Sequence, residues 1–208
     1  MYLMTRRTRV KNTEGLDWAI KILGHAKEVT NNEIQLWSTV YSAGFGTITW
    51  TSWWADLASM ETAFLTLQAD EGYNKLASDG RELTDGIVDD ELIQTISGEA
   101  NPGSQAQYVG SVRAVCAAGN IVRAMTAGIE IAQKVEAITG TPTLFVRGLT
   151  GPYGNIGWLT PYENLAAVGT SQDKLAADQG WLTYLDGLAG CFVEDASITQ
   201  QTLYQKLA

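Results

Sequence analysis

From Leu16 onward, apolar side chains return three and four positions apart, at Leu16, Ala19, Ile20, Leu23 and Ala26. That spacing lays them along one stripe of an α-helix, which Thr30, Asn31 and Asn32 bring to an end. Ahead of it, residues 3–10 read as a strand rich in Thr, Arg and β-branched side chains, followed by a polar turn over 11–15. After it, residues 34–41 form a second strand, Ser42-Ala43-Gly44 a turn, and 45–50 a short aromatic third strand. A second helix starts near Ser52 or Asp56 and runs to about Ala69, with Leu57, Met60, Phe64 and Leu67 on one face. Asp70-Glu71-Gly72 breaks it ahead of a short helical piece ending at Leu76. Residues 82–88 are expected as the fourth strand. Asp89-Asp90-Glu91 then opens a short helix to Ser97, because acids are favoured at a helix N-terminus.

The same order is then written again. Strands are expected at 108–116, 143–149 and 153–158, and a helix at 120–138. A second helix spans 161–177, with Pro161 early, where its missing amide hydrogen costs little. Residues 188–198 contain a fourth strand, and 199–207 close the chain as a short helix. A displacement of 108 positions puts Leu36 on Leu144, Gly46 on Gly154, Ile48 on Ile156, Trp50 on Trp158, Ala69-Asp70 on Ala177-Asp178 and Gly72 on Gly180. We read a tandem duplication: a first repeat over 1–98, a linker over 99–106 and a second repeat over 107–208. The fold class expected is α+β. Each strand–helix–strand–strand–helix–strand repeat closes into a ferredoxin-like antiparallel sheet with both helices on one face. A bare apolar sheet face cannot stay in water, so the two sheets are expected to meet as an intramolecular barrel with a pocket between them.

Composition narrows the chemistry. With 208 residues, 45% hydrophobic and 18% charged, the chain has the balance of a folded protein. Seven Trp and eight Tyr imply large rings in a core, cleft or interface. A net charge of −9 argues against sequence-independent nucleic-acid binding, which depends on cations laid on phosphates. Arg6, Arg7, Arg9 and Lys11 read as the exposed face of the first strand. No apolar run has the length of a membrane span. The N-terminus carries charges where a signal peptide needs an apolar stretch, so the expected compartment is the cytoplasm. Cys116 and Cys191 lack metal-site spacing and read as small buried hydrophobes.

Trp50-Thr51-Ser52-Trp53-Trp54-Ala55-Asp56-Leu57 and its echo Trp158-Leu159-Thr160-Pro161-Tyr162-Glu163-Asn164-Leu165 resemble the strand-to-helix signature of NIPSNAP-like proteins. Ala69-Asp70-Glu71-Gly72-Tyr73 and Ala177-Asp178-Gln179-Gly180-Trp181 fit its second part. The resemblance covers both halves and points to the dimeric α+β barrel superfamily, with two fused copies in place of a dimer. Members include cofactor-independent monooxygenases, haem-degrading enzymes, chlorite dismutase-like proteins, muconolactone isomerases and proteins of no known activity. The haem-degrading branch binds iron through a His on the second helix. Residues 60–64 and 168–172 contain none, so no cofactor is expected.

His25, the single His, reads as an exposed position on the first helix. With one His and isolated Cys residues, no metal site is expected, and neither GxGxxG, a phosphate loop nor a GxSxG elbow is present. The remaining chemistry falls to the cleft. Trp37, Tyr41, Trp50, Phe145 and Trp158 lie on or at the ends of strands, and Arg113 and Arg147 each interrupt an apolar strand. A buried Arg needs a partner, and Glu194 or another acid at the barrel rim is the ordinary one, against an anion or carbonyl ligand. Two readings follow. One is a protein that binds a small apolar or aromatic molecule, as a cofactor-free oxygenase or isomerase stabilising an enolate or phenolate. The other is a non-catalytic assembly module, with self-association left open.

Overall fold

The computed structural model describes residues 1–41, 46–195 and 199–208. The chain is α+β, and its elements come in one order given twice. The first set is β1 (Tyr2–Arg9), α1 (Thr13–Thr30), β2 (Ile34–Val40), β3 (Thr47–Trp54), α2 (Leu57–Ala69), α3 (Glu71–Asp79) and β4 (Asp89–Ser97). The second is β5 (Tyr108–Val115), α4 (Ile121–Thr139), β6 (Leu144–Gly148), β7 (Asn155–Tyr162), α5 (Leu165–Ala177), α6 (Gln179–Asp186) and β8 (Gln200–Lys206). Two compact units result, one of residues Met1–Leu92 with Gln205–Ala208, the other of Ile93–Tyr204.

In the first unit, β3 lies between β1 and β2, antiparallel to both. Arg6 stands opposite Trp50, and Leu36 faces Trp50 from the other side. Side chains alternate across a sheet, so Ile34, Leu36, Ile48, Trp50 and Ser52 share the face covered by the helices. Ala19 and Leu23 of α1 close the core over Leu36 and Ile48. The α1 stripe is Ala19, Ile22, Leu23 and Ala26, whereas Ile20 is exposed. The other face of this sheet carries Thr5, Thr49, Thr51 and Trp37 and is more polar than the apolar surface expected. In the second unit β7 lies between β5 and β6, and residues Ile93 to Ser97 of β4 run beside β6, with a bulge between Thr95 and Ser97. Its core joins Ala124 and Ile131 of α4 to Phe145, Ile156 and Trp158.

Each fourth strand lies further along the chain than the sequence pattern indicates. Residues 89–97 and 200–206, expected as helices, are β4 and β8. Asp89 and Asp90 are not acids waiting for a helix dipole. Their countercharges are Arg7, at 3.2 Å from Asp89, and Arg6, at 2.6 Å from Asp90. Ile93, Thr95 and Ile96 supply the β-branched character that suits a strand. Residues 82–88 hold only an isolated bridge, Thr84 with Val10. Beyond β8, Leu207 donates to the Leu36 carbonyl and Ala208 accepts from its amide, both at 2.8 Å. Pro161 also moves: it sits in β7 opposite Val109, and α5 begins only at Leu165. The turn expected at Ser42-Ala43-Gly44, like Phe45, lies outside the described residues.

The repeated residues have repeated physical jobs. Gly46 and Gly154 both adopt positive φ (86° and 80°), which favours glycine. Each offers its carbonyl at 2.9 Å, to the amides of Val10 and Cys116 respectively. Asp70 and Asp178 each end one helix and cap the next, accepting from the amides of Tyr73 (2.6 Å) and Trp181 (2.7 Å). A Cβ on Gly72 or Gly180 would stand 3.2 Å from the capping oxygen, and on Gly72 also 2.8 Å from the His25 ring. Asp56 and Asn164 cap α2 and α5 in the same manner.

The strand tryptophans tie each first helix to its sheet. The Trp50 indole donates to the Ala19 carbonyl at 3.2 Å, and Trp158 to that of Gly128 at 2.8 Å. The two anchors are packed differently. In strand register Leu36 corresponds to Phe145, not to Leu144, because Leu36 pairs with Trp50 and Phe145 with Trp158. Ala19 meets the smaller Leu36; Gly128 meets the larger Phe145, whose ring would lie 2.2 Å from any added Cβ. Gly128→Ala is therefore expected to destabilise the protein by about 1–3 kcal/mol through overpacking, although Ala is the better helix former by about 1 kcal/mol. Combined with Phe145→Leu, which restores the Ala–Leu pairing of the first unit, the two changes should cost less than their sum. Urea midpoints of the four proteins read this coupling directly, and additive losses would refute it.

Candidate functional site

In the first unit a partly open cavity of about 310 Å³ lies between the sheet and the helices. Met4, Arg6 and Thr8 of β1 enter it because every second residue of that strand turns the same way. Trp50 and Ser52 of β3 continue the floor; Trp18 and Ile22 of α1, Phe64 and Leu67 of α2, and Tyr73 and Ala77 of α3 form the roof. The turn at Gly80–Arg81, with Thr84, Gly86 and Val88, closes one side. The volume is at the lower end of sites that hold small organic molecules, and the lining is mostly apolar, as such sites are.

Most polar atoms on the lining are already engaged by protein. The Trp18 indole donates to Leu76 O (2.7 Å), the Thr8 hydroxyl to Ile87 O (2.7 Å) and the Thr84 hydroxyl to Gly80 O (3.1 Å). Ser52 Oγ accepts from the Trp54 indole at 2.9 Å. Arg6 and Tyr73 differ. Arg6 is gripped by Asp90 through Nε to Oδ1 (2.8 Å) and Nη2 to Oδ2 (2.6 Å), a bidentate pair, while Nη1 reaches the Tyr73 hydroxyl at 3.4 Å. A guanidinium has five N–H groups, so donors remain beside the phenol. The Asp90 hydrogen bonds outweigh partial burial and raise the Arg6 pKa above its ordinary value, which keeps it charged.

Tyr73 is held by its backbone. Its amide enters the Asp70 cap, and the same Asp70 oxygen lies 2.6 Å from His25 Nε2. His25 is thus a half-buried partner of the helix junction and not the exposed residue expected. The His25 hydrogen bond, followed by the Tyr73 amide, lowers the Asp70 pKa.

The residues singled out from the sequence do not converge here. Only Trp50 lines this cavity, in edge contact with Trp18 at 5.7 Å. Trp37 is buried on the opposite sheet face and donates to Thr51 at 3.0 Å. Tyr41, at the end of β2, is 83% exposed. Phe145 and Trp158 are core of the second unit, with ring centroids 5.6 Å apart. Arg113, opposite Gly157, and Arg147, opposite Ile156, lie on opposite faces of the second sheet. Arg147 is exposed, and its Nε and Nη2 donate to Gln94 Oε1 at 2.9 and 2.8 Å, an amide and not the expected acid. Cys116 and Cys191 are buried free thiols. Arg6, Tyr73, Trp18 and Asp90 escaped the sequence reading. The available signal was the charge on β1 next to the acids of residues 89–90.

The corresponding positions in the second unit carry apolar side chains. Arg6 and Val112 stand opposite the equivalent tryptophans, and the bridges Val10–Thr84 and Cys116–Phe192 match Thr84 to Phe192. Val112, Phe145 and Phe192 therefore occupy the positions of Arg6, Leu36 and Thr84. All three pack into the aromatic core, Phe192 edge-on to Trp158 at 5.9 Å.

Among the described residues, no group of three or more His, Cys, Asp and Glu could hold a metal ion, and no helix is long and apolar enough to cross a membrane. No protein-family model matches the chain, and no curated protein does. Solved structures do match in fold. A Fusobacterium nucleatum protein proposed as a monooxygenase superposes with TM-score 0.69 at 9% identity, over 100% of this chain and 92% of its own. A Lactobacillus acidophilus protein proposed as a monooxygenase gives 0.62 at 8%, over 99% and 92%. An anthrone oxidase-like protein gives 0.64 at 12%, over 100% and 91%. At such identities the likeness is one of fold.

The Asp70 junction makes stability depend on acid pH. A carboxylate whose folded pKa is depressed contributes stability above its unfolded value and loses it as pH falls through the folded one. The loss from this group begins below about pH 4. Asp70→Asn keeps a capping oxygen but removes the charge, so its urea midpoint should fall less steeply than the wild type's between pH 5 and about 2.5. Parallel acid limbs would refute the assignment.

Proposed function

We propose that the first unit binds one small apolar or aromatic molecule per chain, with an oxygen of that molecule at Arg6 and Tyr73. The cavity itself carries this reading: an apolar space with a guanidinium and a phenol side by side at its wall. In this reading the chain is a fused pair of ferredoxin-like repeats of NIPSNAP-like type. The fold likeness to proteins named as monooxygenases and as anthrone oxidase-like supports a cofactor-independent oxygenase in particular.

The chemistry would be that of an acidic carbon conjugated with a ketone, which in anthrone lies across the central ring. Release of the C–H proton leaves an enolate whose oxygen accepts from Arg6 and Tyr73, a charge better stabilised in an apolar cavity by fixed donors than by mobile water. Dioxygen then takes electrons from the carbanion. For anthrone, one oxygen atom ends as the new ring carbonyl and the other leaves in water, so one O₂ is consumed per quinone formed. Among the described residues no carboxylate or imidazole lines the cavity, so in this reading the protein's part is to stabilise the enolate, and the proton leaves to solvent or to the oxygen species.

Native mass spectrometry with anthrone should give one bound molecule per chain, and an oxygen electrode should record equimolar O₂ uptake. Arg6→Gln is expected to weaken binding roughly tenfold or more, the worth of a charge-assisted hydrogen bond, while Arg147→Gln leaves it unchanged. Binding without uptake would favour a non-catalytic module. No binding to the folded protein would end the proposal.

A further inference from the structure

We infer that Asp90 is a specificity-determining residue that acts through Arg6, making the cavity select uncharged ligands with an acceptor oxygen over isosteric carboxylates; this rests on the reading that the cavity binds a ligand. The argument is one of charge. An unpaired guanidinium on an apolar wall would be a carboxylate receptor, since its fork matches two oxygens. Here the fork edge, Nε and Nη2, is already filled by Asp90 at 2.8 and 2.6 Å. The end left toward Tyr73, with N–H groups on Nη1 and Nη2, already meets the phenol through Nη1 at 3.4 Å, and Asp90 offsets its charge, which favours a neutral acceptor such as a ketone or a phenol oxygen. A carboxylate entering there would lose part of its hydration and face Asp90 across the same guanidinium, a pair whose side chains are 41% and 46% exposed. The other cation on the lining, Arg81, sits in the exposed turn after α3, where water and salt screen it. Asp90 also holds the guanidinium in place, so Arg6 loses little freedom when a ligand arrives.

The test compares 2-acetylnaphthalene with 2-naphthoate, which differ by a methyl group against an anionic oxygen, using indole fluorescence or calorimetry at pH 7. Wild-type protein should bind the ketone at least tenfold more tightly. Asp90→Asn preserves the shape and one acceptor while removing the negative charge. It should raise the naphthoate affinity about tenfold, change the ketone affinity less than about threefold, and so remove or invert the preference. Arg6→Gln should weaken both ligands. The wild-type comparison stands even where a variant folds poorly. Equal binding of the two compounds by wild type, tighter naphthoate binding, or an Asp90→Asn protein with unchanged preference overturns the role of Asp90 and leaves a binding cavity. Failure of both compounds to bind the folded wild type removes the cavity reading and this inference together.

Discussion

The indole N–H of one strand tryptophan, donated to a carbonyl in the middle of the first helix, is the contact on which each unit depends. Trp50 reaches Ala19 and Trp158 reaches Gly128. A mid-helix carbonyl already accepts within its own helix, but it has a second lone pair. The bond satisfies a buried indole without breaking the helix ladder. It also fixes how high the helix stands above the sheet, and therefore how much space is left between them. Everything else on that side, from the core leucines to the cavity wall, is packed within that height.

Given the same anchor, the two units use the space in different ways. In the second, Gly128 gives room for Phe145, and Val112 and Phe192 complete an aromatic core. In the first, Ala19 meets Leu36, Trp18 comes in from the helix, and Arg6 and Thr84 stand where Val112 and Phe192 stand in the second unit. The cavity of about 310 Å³ in the first unit lies among these exchanged positions.

A half-buried arginine on an apolar wall has to be compensated. The Asp90 pair does so from the start of β4, and the Asp70 cap, braced by His25, brings Tyr73 to the same guanidinium. The acids and the cavity wall are therefore one network: the residue that ends α2 also presents the phenol, and the second residue of β4 pairs with the guanidinium.

The sequence alone determined the order of elements up to each second helix, because periodicity, capping residues and glycines are local signals. Asp70 and Asp178 cap their helices wherever the rest of the chain goes, whereas the His25 ring against Gly72 is a contact that only the tertiary structure makes. The fourth strands were not legible. Acids ahead of Ile93 and Ile96 suit a helix start as well as a strand, and only the arginines of β1, far away in sequence, decide between them. The site was legible only in part. Trp50 was recognised, yet whether Arg6 faces water or the helices depends on which side of the sheet they cover, and alternating Thr and Arg leave that open. The contact between Arg6 and Asp90 joins residues 84 positions apart. Only the tertiary structure, by pairing β1 with β3 and bringing the start of β4 to Arg6, could turn an exposed-looking basic strand into the polar wall of a cavity.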